Sequence, residues 1–228
     1  MVIIVPAAGL STRFPNSPPK YLLRDKTGAL MLERALDLLY RYRIVVGVLQ
    51  QHIDEFQALD VLKEEFGNRL MYAVIPTVTR GPADTVYQIM RQVSLSGACL
   101  VKDCDSYFEH QVWSGNYVCT TTVAEHNVLL ELGSKSFVVT NDQQVITDII
   151  EKQVVSDKFC VGGYKFESTA EYMAAFEKIS AYPAQRELFV SHVIQQMLLE
   201  GHIFVNNNVV GYQDVGTLHD WRAYNNVL

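Results

Sequence analysis

The chain has 228 residues, 49% of them hydrophobic and 19% charged, which is enough apolar material for a buried core and excludes general disorder. With 25 acidic against 19 basic side chains the net charge is −6, which argues against sheathing a long polyanion such as a nucleic acid but leaves room for a small phosphorylated ligand. No apolar run approaches the roughly 20 residues a membrane span needs. The apolar stretch at Met1 to Leu10 lacks a basic leader and runs straight into Ser11-Thr12-Arg13, so a cytoplasmic address is expected.

In chain order, Val2 to Ala7 is a continuous β-branched run closed by Gly9, the pattern of a strand buried on both faces. Helical spacing follows over Leu30 to Tyr40. A buried-type strand covers Ile44 to Leu49, and an amphipathic helix Ile53 to Phe66. A strand over Leu70 to Ile75, a helix over Ala83 to Val93 and a strand over Ala98 to Val101 complete an alternation typical of βαβ units. After Asp105 the order changes. Strands are predicted at Val118 to Glu125 and Ser136 to Val139, with a turn at Asn141-Asp142 and a return strand over Val145 to Ile150. Phe159 to Phe166 reads as a strand with Gly162-Gly163 inside it. Helices are expected over Ala170 to Ile179 and Arg186 to Leu199, stopped by Gly201. Ile203 to Val205 and Val209 to Asp214 read as closing strands, and Leu218 to Tyr224 as a terminal helix capped by Thr217. The expectation is one α/β domain over residues 1–228, with a Rossmann-like, mixed but mainly parallel sheet flanked by helices.

Four segments carry candidate chemistry. Val5 to Phe14, followed by Pro18-Pro19-Lys20, delivers a strand to a small-residue turn whose N–H groups can cradle an anion. Arg13 adds a planar charged fork and Lys20 a flexible point charge, although an ordinary turn with two solvated bases has the same look. Asp103 and Asp105 lie two apart at a strand's carboxyl end, placed either to hold Mg²⁺ against a phosphate or as solvated acids. Asp214 precedes Val215-Gly216-Thr217 and reads as a second metal ligand or as part of a turn. Glu151-Lys152 follows an apolar strand, to bind a hydroxyl and an anion or to face solvent. Cys99, Cys104, Cys119 and Cys160 lack zinc-site spacing and are expected to be reduced and buried. The six histidines form no HxH or HExxH arrangement and are given no catalytic role, and no GxSxG elbow anchors a serine hydrolase.

As an ordered set, these motifs resemble the sugar-phosphate nucleotidyltransferases, also called nucleoside-diphosphate-sugar pyrophosphorylases. The matching segments are Gly9 to Arg13 with Pro19-Lys20, Gly81-Pro82-Ala83-Asp84, Asp105, Glu151-Lys152 ahead of Gly162-Gly163-Tyr164, and Asp214-Val215-Gly216-Thr217. The resemblance runs from Val2 to about Tyr224. It implies transfer of a nucleotidyl group from a nucleoside triphosphate to a phosphorylated small molecule, with release of pyrophosphate, in the synthesis of surface polysaccharide precursors.

Arg13 and Lys20 would then hold the triphosphate and Lys152 the acceptor's phosphate. Ala7, Ala8, Gly9, Ser11, Thr12, Gly81 and Asp103 would face the nucleotide, and Glu151 and Gly163 the acceptor. Asp105 and Asp214 would bind Mg²⁺. The halves divide near residue 105 into a nucleotide side and an acceptor side. The short stretch between Arg13 and Pro19 is similar to phosphocholine-type cytidylyltransferases, which favours CTP or UTP. Lys-Asp-Cys-Asp in place of Gly-Asp, and Gln153 in place of Pro, depart from the family pattern and leave the acceptor open. Tyr164, Phe166, Tyr172 and Trp221 are candidates for a choline cage or for the core. A nucleotide-sugar glycosyltransferase using Asp103-x-Asp105, and an inactive nucleotide sensor, are the competing readings.

Overall fold

The computed structural model describes residues 1–109, 111–125, 132–182 and 187–227. Strand β1 (Val2–Ala7) lies between β2 (Arg43–Leu49) and β4 (Cys99–Lys102), and β3 (Leu70–Ile75) pairs with β2, all of them parallel. Beyond β4 the sheet turns mixed. The long strand β9 (Lys158–Phe166) runs antiparallel to β4, to β6 (Asn116–Thr122) and, at Phe159, to β7 (Ser136–Thr140). β7 forms a hairpin with β8 (Ile146–Glu151), and β10 (Phe204–Asn208) closes the far edge on β6. The mixed, mainly parallel sheet expected from the sequence is the one present.

The continuous apolar character of β1 follows from its two covered faces. Ile4 faces α4 (Pro82–Gln92), α5 (Thr169–Ser180) and α6 (Val190–Leu199), in a layer with Val86, Ile89, Tyr172 and Ile194. Ile3 and Val5 face the other way, onto Leu32 and Leu36 of α1 (Met31–Leu36) and Leu62 of α3 (Ala58–Phe66). Each such fully buried side chain contributes about 1.5–3 kcal/mol. The four cysteines are free and buried. Phe166 and Tyr172 belong to the α4–α5–α6 layer and Trp221 to a small cluster under the first loop, so these three aromatics are core.

Three expectations are corrected, and one strand was not foreseen. The helix predicted to Tyr40 stops at Leu36, and Leu39 stays buried through turns in which Leu39 N–H donates to Leu36 O and Tyr42 N–H to Leu39 O. The helix predicted over Ile53 to Phe66 is two, α2 (Gln50–Phe56) and α3, because Gln57 takes a left-handed φ of 53°. α6 begins at Val190; Arg186, its predicted start, lies outside the described residues, as do His110 and His126. The sequence reading also had no place for β5 (Ser106–Glu109), which pairs antiparallel with β11 (Val210–Asp214) in a separate two-stranded sheet. The terminal helix α7 (Leu218–Tyr224) has the predicted bounds, and Thr217 Oγ1 accepts the Asp220 N–H as its cap. Among the described residues no helix is long and apolar enough to cross a membrane.

Candidate active site

Strand order 3-2-1-4 places a topological switch between β1 and β4, and crevices beyond the carboxyl ends of strands at such points are where ligands bind open α/β sheets. A cleft of about 610 Å³ opens there, within the usual size range of small-molecule sites. The loops after β1, β3 and β4 wall one side of it. Glu151 at the end of β8, Gly162 in β9 and the segment ahead of α6 wall the other.

The loop after β1 is held by its own chemistry. Ser11 adopts a left-handed φ of 52°, its carbonyl accepts the Phe14 N–H at 2.8 Å and its hydroxyl accepts the Lys20 N–H at 3.0 Å. Phe14 is buried against Met31, Val215 and Trp221, which pins the loop while Arg13 beside it remains half-exposed over the cleft. Ala7 and Ala8 are buried, Gly9 is exposed, and all three line the cleft with Ser11 and Thr12.

The acids are assembled by β5 and β11. Ser106 pairs with Asp214 in that ladder, and the Val215 N–H donates to Asp105 O at 3.0 Å, so the two carboxylates meet at Gly216. A Cβ on Gly216 would lie 2.9 Å from Asp105 Oδ2, 3.0 Å from Asp214 Oδ1 and 3.3 Å from Arg13 Nη1. Lys20 Nζ donates to Asp105 Oδ2 at 2.5 Å, with Arg13 Nη2 3.5 Å from the same oxygen. Burial pushes the Asp105 carboxyl up, but Lys20 and Arg13 outweigh it and hold the group well below the usual carboxylate range. Asp103 moves the other way: burial, then the Asp105 charge, raise it. Its N–H donates to Gly162 O at 2.8 Å, and its carboxylate packs over that glycine.

Under this turn lies Lys102, 2% exposed, donating to Asp103 O at 2.8 Å, Ser106 O at 2.6 Å and Ser106 Oγ at 3.0 Å. Burial lowers its ammonium to about 8, with Asp103 and Asp105 opposing that shift.

The loop before α4 is fitted to the opposite wall. Gly81 has a φ of +128°, and a Cβ there would meet Leu188 O at 2.6 Å and Leu188 N at 2.9 Å. The Leu188 N–H donates to Arg80 O at 2.6 Å and the Ala83 N–H to Leu188 O at 3.0 Å, lacing the two walls together. Across the cleft, Glu151 Oε2 accepts from the Ser136 hydroxyl and, at 2.5 Å, from the Ser191 hydroxyl.

Of the residues singled out in the sequence, Ala7, Ala8, Gly9, Ser11, Thr12, Arg13, Lys20, Gly81, Asp103, Asp105, Glu151 and Asp214 line this one cleft. Two stand apart. Gly163 packs under Cys119 and Phe108, and Gly162 is the glycine on the cleft wall. Lys152, with φ 57°, turns its ammonium to the rim, 3.5 Å from Glu187 Oε2 and 4.1 Å from the Phe189 ring centroid. Tyr164 lines the cleft together with Tyr212 and Phe189.

Sequence reasoning missed Lys135 and the serines on Glu151, and it gave no role to Lys102 or Gly216, although both lie within the motifs it singled out. For Gly216 a signal existed in the Asp-x-Gly spacing, whereas Lys135 had none. Among the described residues no group of three or more His, Cys, Asp and Glu side chains is set to hold a metal. Asp105 and Asp214 fit Mg²⁺ in another way, since that ion is usually bound by one or two carboxylates and completed by substrate phosphates and water.

No protein-family model and no curated protein sequence matches the chain. Solved structures do. A nucleoside-diphosphate-sugar pyrophosphorylase from Vibrio cholerae superposes with a TM-score of 0.84 at 19% identity, over 98% of this chain and 99% of that one. The inositol-1-phosphate CTP transferase from T. maritima gives 0.75 at 16% identity, over 98% and 92%. A UDP-glucose pyrophosphorylase in complex with UDP-glucose gives 0.75 at 13%, over 99% and 97%. Over nearly its whole length, the chain therefore has the fold of the sugar-phosphate nucleotidyltransferases.

Proposed function

We propose that the cleft joins a nucleoside monophosphate, taken from a nucleoside triphosphate, to the phosphate of a small molecule. The observation that carries this reading is the convergence of Arg13, Lys20, Asp105 and Asp214 around Gly216 at the switch point of this fold. An oxygen of the acceptor's phosphate attacks the α-phosphorus. The bond from that phosphorus to its bridging oxygen breaks, and the electron pair leaves with pyrophosphate. A phosphate nucleophile is already anionic near neutral pH, so no general base is needed. The work is positioning and charge neutralisation.

Arg13 and Lys20 hold the triphosphate, with Ala7, Ala8, Gly9, Ser11, Thr12, Gly81 and Asp103 around the nucleotide. Lys152 meets the acceptor's phosphate from the rim, with Glu151 and, in place of Gly163, the cleft-wall Gly162 on the acceptor side. Asp105 and Asp214 would hold Mg²⁺, which supplies charge neutralisation at the phosphates when bound. Residues up to about 105 form the nucleotide half and those beyond it the acceptor half. We infer a phosphorylated sugar or alcohol as acceptor, CTP or UTP as donor, and a cytoplasmic role in making precursors of surface polysaccharide.

The product's mass tests this against the glycosyltransferase reading. A nucleotidyl transfer yields a species equal to triphosphate plus acceptor less pyrophosphate. A glycosyl transfer yields a free nucleoside diphosphate from a nucleotide sugar, and that product would replace this proposal.

A further inference from the structure

Lys135 stands in the cleft beside the residues assigned to the triphosphate and the acceptor. It sits one residue before β7, and its Nζ donates to Asp214 Oδ2 and to the Tyr212 hydroxyl at 3.3 Å. The Tyr212 hydroxyl in turn donates to Asp214 Oδ2 at 3.1 Å, and Asp214 Oδ1 accepts the Gly216 N–H at 2.8 Å. Asp214 is thus neutralised by Lys135 just as Asp105 is by Lys20. A carboxylate engaged this way on both oxygens offers a divalent cation little until the ammonium moves.

The hairpin explains why Lys135 rather than Lys152 points inward. Ser136 pairs with Glu151, and one step beyond, the Lys152 N–H donates to Lys135 O at 3.0 Å, so the two lysines stand opposite each other at the hairpin's open end. The left-handed backbone at Lys152 sends its side chain, 48% exposed, to the rim, while that of Lys135 is 18% exposed within the cleft. An ammonium on a flexible stem can leave one oxygen for another a short distance away, and Tyr212 can stay on Asp214 when it does.

We propose that Lys135 is a further phosphate-binding residue of this cleft, held on Asp214 in the ligand-free protein and released to a substrate phosphate when a divalent cation takes Asp214. The proposal rests on the nucleotidyltransferase reading above.

The test is Mn²⁺ binding to the ligand-free protein, followed by the electron paramagnetic resonance signal of free Mn²⁺, in wild type, Lys135→Met and Lys135→Arg. Loss of the competing ammonium tightens Mn²⁺ binding in Lys135→Met by about three- to tenfold, the scale of a partly buried ion pair, and Lys135→Arg stays near wild type. In steady-state assays of the same proteins, Lys135→Met lowers kcat/KM for the acceptor by about tenfold or more, as expected when one charge-stabilising donor is lost. Unchanged or weaker Mn²⁺ binding in a folded Lys135→Met overturns the proposal, as does the absence of Mn²⁺ binding to either protein. Tighter Mn²⁺ binding with unchanged kcat/KM overturns the hand-over to phosphate. Should Met at this position fail to fold, Lys135→Gln makes the same test. A wild-type protein that binds Mn²⁺ but no nucleoside triphosphate sinks the functional reading instead, so the two failures are distinguishable.

Discussion

The Lys20 ammonium lies 2.5 Å from Asp105 Oδ2, joining two turns 85 residues apart in the chain. Asp105 follows β4 directly, and Lys20 reaches it from the far end of the loop after the adjacent strand β1, where the Ser11 hydroxyl accepts the Lys20 N–H at 3.0 Å. This pair neutralises an acid that would otherwise repel phosphate, and it keeps a cation inside the cleft for the triphosphate.

Lys20→Ala and Asp105→Ala each lower turnover by about 100-fold or more, the cost of removing one preorganised charge-stabilising group. Neither residue belongs to the apolar core, so circular dichroism keeps the folded spectrum, while Tm falls with the loss of a partly buried ion pair. Near-wild-type turnover in either purified variant contradicts the assigned roles.

Gly216→Ala places a methyl group 2.9 Å from Asp105 Oδ2 and 3.0 Å from Asp214 Oδ1. The carboxylates must separate to admit it, so the variant folds but loses turnover and Mn²⁺ affinity together. A crystal structure with both acids unmoved, or an Ala variant of full activity, counts against the site as assembled.

Gly81→Ala acts on the fold instead. At φ +128° an alanine is strained, and its Cβ meets the backbone of Leu188, which cannot swing aside as a side-chain tip can. A loss of about 1–3 kcal/mol in denaturant unfolding is expected, with hydrogen exchange rising first at the Ala83 and Leu188 amides.

Asp25 gives the molecule a pH signature remote from catalysis. Burial raises its carboxyl, but hydrogen bonds from Thr27 and Arg34 outweigh that and bring it to about 2 from an ordinary 3.8. Because the folded value is depressed, its stabilisation is fully present above pH 3.8 and is lost as pH falls through about 2. Asp25→Ala therefore costs about 2 kcal/mol at neutral pH, and the gap to wild type closes between about pH 4 and pH 2. A gap independent of pH in urea unfolding contradicts this assignment.

Much of the framework was legible because local pattern and burial agree. β1, β3 and α7 have the bounds that apolar runs and a Thr cap predict. The break at Gln57 was not legible, since nothing in Phe56-Gln57-Ala58 marks a left-handed residue. β5 was missed because Ser-Tyr-Phe-Glu is only four residues long and pairs with a strand about 100 residues later. That short strand is what sets Asp105 beside Asp214, so the two acids were readable singly and their meeting was not. Lys135 shows the same limit: a lysine ahead of a strand carries no local mark of the distant carboxylate it pairs with.

The most direct test of the central claim is pyrophosphate release with Mg²⁺, with CTP, UTP, GTP, ATP and dTTP each offered to phosphorylated sugars and alcohols. The account predicts release that requires one triphosphate and one acceptor together and that falls by about 100-fold or more in Asp105→Ala. No release from any combination, in a protein that also binds no triphosphate in thermal shift, contradicts it.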